Sequence, residues 1–145
     1  MAEASIETSR RVLEDAFNRG NLDVVDEVCA EGFVDHDPIM GEQDKEGLKR
    51  SISAYRQSFP DLEITIEEIM ACGDKVVTRW RAQGTFQNEF MGLPPTGEKG
   101  NPVTGIGIDR FDENGKIVEA WGQWDTLTFM RDIGAIPEQT PAAAS

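Results

Sequence analysis

The sequence GKIVEAWGQWD occupies residues 115–125, and the turn-forming residues DENG at 112–115 lead into it. Asp-Glu-Asn-Gly is strong turn chemistry between two strand-like runs, so this region is predicted to form a β-hairpin. The returning strand starts at Lys116 and ends at Asp125, at a point where a helix can begin. The final third of the chain is therefore predicted to place one acidic residue at the end of a strand.

Two interpretations of Asp125 remain open. Trp121 and Trp124 precede it closely in the sequence, and desolvation among such apolar groups would raise its pKa and make it a usable base near neutral pH. Alternatively, a solvated Asp125 simply caps the following helix, of which Thr126 is the first residue.

Outward from this hairpin, the preceding region also has the pattern of strands. Leu62, Ile64 and Ile66 alternate with polar residues, which predicts a half-buried strand. The turn Cys72-Gly73-Asp74 returns the chain into a second strand, from Lys75 to Phe86. A loop rich in glycine and proline then separates that strand from the final hairpin.

The N-terminal region instead has helical periodicity. A first helix is predicted from Ser5 to Arg19, ending at Gly20, and Asn21 is predicted to cap a second helix that closes near Gly32. A short strand at residues 33–38 precedes a third helix. That helix runs from about Asp44 to Pro60, and its apolar face consists of Leu48, Ile52, Tyr55 and Phe59.

Helices followed by a meander of strands predict an α+β fold, in which a curved antiparallel sheet wraps around packed helices. The length of 145 residues suits one domain, predicted at residues 1–136, with a flexible Pro/Ala/Ser-rich tail at 137–145.

Composition excludes several classes of partner. A net charge of −13 with 14 basic residues argues against nucleic acid and anionic membranes. No apolar run approaches the roughly 20 residues that cross a bilayer, and the first residues lack the pattern of a signal peptide, so we expect a cytoplasmic protein. The single histidine, His36, and the isolated Cys29 and Cys72 argue against a metal site.

Five short motifs occur in an order that resembles the SnoaL-like polyketide cyclase (ester cyclase) family. The resemblance covers roughly Ser5 to Gly134 and implies the cone-shaped α+β barrel shared with nuclear transport factor 2, ketosteroid isomerase and limonene epoxide hydrolase. It also implies that no metal or organic cofactor is used. The motifs are Phe33-x-Asp35-His36-x-Pro38, Phe59-Pro60-Asp61, Gly73-Asp74-x-Val76-Val77-x-Arg79-Trp80, Pro95-Thr96-Gly97 and Gly115-Lys116-Ile117-x-Glu119-x-Trp121-x-x-x-Asp125.

The resemblance also implies a reaction. In the characterised cyclases one Asp abstracts the acidic proton between carbonyls of a polyketide ester, and the enolate closes a ring by intramolecular aldol addition. The Trp-x-x-x-Asp match assigns this role to Asp125. The family's polar residues on the preceding strand correspond to Asp109 and Phe111. Phe111 cannot hydrogen-bond an enolate oxygen, so substrate or reaction is expected to differ from those of the aromatic polyketide cyclases.

Several other residues are candidates for a pocket that holds a hydrophobic small molecule. His36 is either a proton donor at the pocket mouth or a structural residue. Arg79 and Trp80 lie on opposite strand faces. An inward Arg79 near Asp109 and Asp125 would resemble the Asp-Arg-Asp arrangement of limonene epoxide hydrolases. The candidate substrate-binding residues are Trp80, Trp121, Trp124, Phe90, Tyr55, Asp109, Phe111 and Arg79.

Three functions follow: a cofactor-free cyclase, a hydrolase or isomerase in the same pocket, or a non-catalytic ligand-binding or dimerisation module. The third predicts that Asp125 only caps a helix and that no pocket exists. We expect a homodimer through the exposed strand face. The loop at residues 86–100 is either a lid or a dimer contact. The register of the hairpin is open. A four-residue turn puts Asp109 on the sheet face opposite that of Asp125, whereas a bulge brings both residues to the same face.

Overall fold

A computed structural model describes residues 2–137, and most of the predicted tail lies outside these described residues. Helices and strands follow the order expected for an α+β fold, which is confirmed. The helices are α1 (Ala2–Arg11) with a π-helical continuation (Val12–Asn18), α2 (Asp23–Val28), α3 (Lys45–Ser58) and α4 (Thr126–Asp132). The strands are β1 (Cys29–Asp37), β2 (Gly41–Gln43), β3 (Glu63–Cys72), β4 (Lys75–Gln83), β5 (Val103–Phe111) and β6 (Ile117–Trp124).

All six strands form one curved sheet in the order β2-β1-β6-β5-β4-β3. Every neighbouring pair is antiparallel except β1 and β6, which are parallel. Strand β1 therefore joins the meander through the last strand of the chain, and the N-terminal helices pack against the sheet. Among the described residues, no helix has the length and apolar character needed to cross a membrane.

Helix α3 forms where its apolar spacing predicts it. Asp44 caps its first turn, because the carboxylate accepts a hydrogen bond from the Gly47 backbone N–H at 2.8 Å. Leu48 and Ile52 are buried on its inner face. Pro60 follows two residues after its last residue, Ser58, as expected for a residue that cannot continue a helix.

The second helix differs from its prediction. Leu22, not Asn21, occupies its N-cap, and no side chain caps it. The helix also ends at Val28 rather than near Gly32, because the chain enters β1 at Cys29. Gly20 ends the preceding helical segment with a φ of +76°, a left-handed conformation that glycine adopts without steric cost.

Apolar side chains form two buried clusters. The first joins α2, the start of α3 and the sheet around Val76 and Ile117. The second consists mainly of aromatic residues, among them Phe59, Phe86 and Phe129. A cavity lies between the two clusters, because its walls include residues of both.

The final hairpin contains an irregularity that fixes which residues face inward. Phe111 pairs with Ile117, whereas Arg110 pairs with Glu119, so Val118 forms a bulge. Beyond it Asp109 pairs with Ala120, and the two share a face of the sheet. Asp125 has the opposite parity on β6. Asp109 and Asp125 thus lie on opposite faces, although the hairpin carries a bulge.

Candidate active site

A cavity of about 220 Å³ lies between the inner face of the sheet and helix α3. A larger depression of about 690 Å³ beside α3 and β2 is more open to solvent. The cavity combines apolar walls with a few polar groups, which is the arrangement of small-molecule sites. We therefore take the cavity as the candidate site.

Two carboxylates face each other across one residue at the inner face. Ala120 of β6 pairs with Asp35 of β1 on one side and with Asp109 of β5 on the other. Paired residues share a face, so Asp35, Ala120 and Asp109 form one inward row, the carboxylate row. Two strand spacings of about 4.8 Å place the Cα atoms of the two aspartates about 10 Å apart.

Asp109 is half-buried and lines the cavity. The Ser9 hydroxyl of α1 donates a hydrogen bond of 2.7 Å to its Oδ2. Burial raises the pKa of Asp109 to about 6, and the charge of Asp35 adds to this effect, while the Ser9 hydrogen bond opposes it. Asp109 can therefore exchange a proton near neutral pH.

Asp35 has a similar environment. Burial raises its pKa to about 6, and the hydrogen bond from Gln43 opposes the shift. The Gln43 amide Nε2 donates to Asp35 Oδ2 at 3.0 Å. Ser51 on α3 donates to Gln43 Oε1 at 2.6 Å. This chain of donors fixes the amide orientation and leaves Asp35 Oδ1 for a ligand.

The opposite end of the cavity is aromatic. Trp80 of β4 and Trp124 of β6 pair with Gly105 from either side, so both indoles share the inner face. Their ring centroids are 6.5 Å apart. Phe129 of α4 packs edge-on against Trp124 at 5.3 Å. These rings form a dry wall opposite the carboxylate row.

Tyr55 connects the aromatic wall to the carboxylates. Its ring packs against Phe129 and Trp124, at 6.1 and 6.4 Å. Its buried hydroxyl has no hydrogen-bond partner among the described residues. Burial raises the pKa of Tyr55, and the charges of Asp37 and Asp35 add to the shift, so the phenol stays protonated. The protonated phenol is a hydrogen-bond donor.

Asp125 is exposed and caps α4. Its carboxylate accepts hydrogen bonds from the backbone N–H and the hydroxyl of Thr128, at 3.1 and 2.6 Å. These bonds hold the pKa of Asp125 below its ordinary value. The capping interpretation describes this geometry, and Asp125 does not line the cavity. Its neighbour Trp124 points inward, and adjacent strand residues alternate.

The capping role yields a direct stability prediction. Asp125→Ala removes both acceptors of Thr128, and we expect it to lower the free energy of unfolding by about 1 kcal/mol. Asp125→Asn keeps a good capping group and should stay within a few tenths of a kcal/mol of the wild type. Urea unfolding of the three proteins measures the differences, and equal losses in both variants would contradict the capping role.

His36 lies on the outer face, opposite Asp35. Its Nε2 is 2.7 Å from Glu119 Oε2, and its ring stacks on Trp121 with centroids 5.6 Å apart. Arg110 also binds Glu119, at 3.2 Å. The backbone register places His36 and Trp121 away from the inward row, although both border the cavity. His36 thus contacts Glu119 on the outer face while it borders the cavity, and its role as a proton donor stays a prediction.

Three other candidates lie outside the cavity wall. Arg79 points outward and pairs with Glu68 at 2.8 Å, so the Asp-Arg-Asp arrangement does not form. Phe111 is buried in the first apolar cluster. Phe90 is buried behind Tyr55, with ring centroids 5.3 Å apart. In the same loop Met91 is exposed.

The sequence interpretation missed Asp35 and its support by Gln43 and Ser51. A signal for Asp35 does exist, since it lies two residues after the buried Phe33 and shares its face. Gln43 carried no such signal, because β2 has three residues. Within residues 2–137, no three His, Cys, Asp or Glu side chains are grouped so as to hold a metal ion.

Comparison with known proteins relates most of the chain to one family. A family model for SnoaL-like polyketide cyclases matches residues 7–133. The structure of a candidate SnoaL-like polyketide cyclase from Jannaschia sp. CCS1 superimposes with a TM-score of 0.82 at 25% identity, covering 94% of this chain and 95% of that chain. No curated protein sequence matches significantly.

Two Streptomyces structures are also similar. IdmH, a candidate polyketide cyclase from Streptomyces antibioticus, has 32% identity and a TM-score of 0.74, covering 90% of this chain and 98% of its own. AclR, a candidate hydroxylase from Streptomyces galilaeus, has 27% identity and a TM-score of 0.77, covering 92% and 85%. Proteins described by different activities thus share this fold.

Proposed function

The chain belongs to the SnoaL-like polyketide cyclase family, and from this premise we propose that it is a cofactor-free enzyme that closes a ring in a small polyketide-type ester by acid–base catalysis. Two inward carboxylates, those of Asp35 and Asp109, carry the proposal. They replace Asp125 in the acid–base role, since Asp125 is an exposed helix cap.

The reaction starts at a C–H group between two carbonyls of the ligand. One carboxylate of the pair takes this proton, and the electron pair of the C–H bond becomes an enolate. The enolate carbon then forms a C–C bond to a second carbonyl of the same molecule, whose oxygen takes a proton from the other carboxyl group. A pKa near 6 suits both groups, since each is then partly protonated and partly ionised near neutral pH.

The geometry supports a division of these roles. Cα atoms about 10 Å apart leave room for a ligand between the two aspartates. The Tyr55 hydroxyl is the one buried side-chain polar group without a partner among residues 2–137. A hydrogen bond from it would stabilise the developing enolate oxygen. The Trp80 and Trp124 wall keeps water from this charge.

The epoxide hydrolase alternative finds less support. It predicted an inward Arg79 beside the acids, whereas Arg79 pairs with Glu68 on the outer face, and no Lys or Arg of the described residues lines the cavity. An isomerase would share the proton-abstraction step, so the same carboxylates would serve it. The binding-module alternative predicted a capping Asp125, which is present, and a filled interior, whereas a cavity is present.

Deuterium exchange tests the first step without knowledge of the natural substrate. Ethyl benzoylacetate carries one acidified CH₂ group, and its exchange in D₂O is followed by proton NMR with and without the protein. We expect wild-type protein to accelerate exchange at least about 100-fold, the usual lower range of acid–base catalysis. The Asp35→Asn/Asp109→Asn double variant should return the rate to that of buffer.

Asp125→Asn is the matched control, because it removes one exposed carboxylate and retains the cap. It should exchange the ester at the wild-type rate. Full activity in the double variant, or its loss in Asp125→Asn, would contradict the assignment of the acid–base pair.

A further inference from the structure

The floor of the cavity, between the carboxylate row and the aromatic wall, consists of glycine. Gly107 of β5 and Gly122 of β6 pair directly with each other, and Thr78 of β4 pairs with Gly107. By strand parity both glycines share the inner face with Asp109 and Trp124. We call this pair the glycine floor.

The two glycines leave empty space rather than serving tight packing. A Cβ atom at Gly122 would meet no heavy atom within 4 Å. At Gly107 it would meet only the Trp121 carbonyl oxygen, at 3.5 Å, an ordinary contact. Glycine in a strand interior weakens the strand and often marks the close approach of a ligand. The open volume above both positions fits that explanation.

The floor has the shape of a slot. Two neighbouring strands without side chains present a nearly flat backbone surface, and side chains two residues further along each strand rise about 7 Å away on either side. Those side chains are Asp109 on one side and Trp124 on the other. Tyr55 lies over the cavity from α3. A flat ring lying on the floor would have one edge beside the polar Asp109 and the opposite edge beside the apolar Trp124.

Charge restricts the ligand further. Asp35, Asp37, Asp109 and Asp132 line the cavity, and among residues 2–137 its walls contain no Lys or Arg. A ligand carrying a negative charge would lose its hydration and meet carboxylates instead of a counter-ion. The volume of about 220 Å³ is also below the range of drug-sized sites, about 300–1,000 Å³.

We infer that the glycine floor selects a planar molecule of one or two fused rings without negative charge, with its carbonyl edge at Asp35, Asp109 and Tyr55 and its apolar edge at Trp80 and Trp124. This names the ligand class of the site and rests on the proposed function for the chemistry done there. Gly107 and Gly122 are then the specificity-determining residues.

Three matched probes test the ligand class by equilibrium dialysis at pH 7.5. They are 2-acetylnaphthalene, which is planar and neutral; 2-naphthoate, which is planar and anionic; and 1-acetyladamantane, which is neutral and globular. Wild-type protein should bind 2-acetylnaphthalene at least tenfold more tightly than either other probe. Absence of binding up to its solubility limit, or equal binding of a second probe, would overturn the inference.

Gly122→Val tests the floor itself and should weaken 2-acetylnaphthalene binding at least tenfold, because the side chain fills the slot. The control is Gln123→Val, which places valine on the exposed face of the same strand. This variant should bind 2-acetylnaphthalene with wild-type affinity. Thermal unfolding verifies that each variant folds. If the valine variant does not fold, Gly122→Ala replaces it and should weaken binding at least threefold.

Wild-type affinity for 2-acetylnaphthalene in Gly122→Val, or an equal loss of affinity in Gln123→Val, would contradict the inference. The outcome is separable from that of the proposed function. Selective binding without deuterium exchange would support the ligand class and contradict the proposed catalysis. Exchange without selective binding would support the catalysis and contradict the ligand class.

Discussion

We expect Asp109→Asn to be more stable than wild type at pH 7, by about 2 kcal/mol. Burial raises the pKa of Asp109 from 3.8 to about 6. The full shift corresponds to roughly 3 kcal/mol, and contact with cavity water reduces this figure. Asparagine keeps an oxygen for the Ser9 hydroxyl and removes the buried charge. A gain of this size is large against a typical total of about 5–15 kcal/mol.

The pH dependence follows from the direction of the shift. A raised folded-state pKa means that the native state holds its proton more tightly than the unfolded chain does. This contribution to stability is fully present below pH 3.8 and is lost as the pH rises to about 6. The stability difference between Asp109→Asn and wild type should therefore widen across this interval and stay constant above it.

Urea unfolding at pH 4, 5, 6 and 7 measures this difference directly. Glu113→Gln, at the exposed tip of the final hairpin, is the matched control for loss of one carboxylate. Its stability should follow the wild type at every pH. Parallel curves for Asp109→Asn and wild type would show that Asp109 is not a buried acid of raised pKa.

The same variant should lose deuterium exchange activity while it gains stability. An acid whose removal stabilises the protein lowers the free energy of unfolding of the wild type, and such destabilising groups are typical of catalytic sites. Stability and activity moving in opposite directions would separate a functional carboxylate from a structural one. A structural acid, such as the cap Asp125, would lose stability when removed.

Gly105→Val is expected to destabilise the protein by about 3 kcal/mol or more. A Cβ atom at Gly105 would overlap Cζ2 of Trp80 and would lie 2.7 Å from Cβ of Trp124. The Trp124 Cβ is attached to the backbone of β6 and cannot move away without shifting the strand. Overpacking of this kind has a cost that partial relaxation does not remove.

Gly107→Val is the control, since it makes the same change two residues along the same strand and on the same face. The space there is open, so its unfolding temperature should equal or exceed that of wild type. Thermal unfolding should show a fall of roughly 6–12 °C for Gly105→Val. Similar temperatures for the two variants would mean that the packing of Trp80 and Trp124 adjusts easily.

Local signals predicted the parts of the fold that form locally. Helix α3 shows its apolar spacing and its cap in the sequence, and the hairpin of β3 and β4 shows its turn at Cys72-Gly73-Asp74. The parallel pairing of β1 with β6 has no local signal, since it depends on contacts between distant residues. The π-helical turn likewise carries no recognised pattern.

The acid of the candidate site was harder to predict. The Trp-x-x-x-Asp match assigns the acid–base role to Asp125, and the two preceding tryptophans leave desolvation open, yet strand alternation places Trp124 inward and Asp125 outward. The sheet face that Asp109 occupies depends on the register of the final hairpin, which the bulge at Val118 determines. Bulges depend on packing as much as on turn residues, so the sequence alone does not determine on which face of the sheet Asp109 lies.

The parallel pairing of β1 with β6 also bears on biosynthesis. Asp35 and Ala120 are about 85 residues apart in the chain. On the ribosome, β1 has its hairpin partner β2 early, but it can join the rest of the sheet only after residues 117–124 have emerged. At about 5–20 residues per second, this interval lasts several seconds. The carboxylate row is thus completed late in translation, and a nascent chain that stops before β6 has both acids without the site.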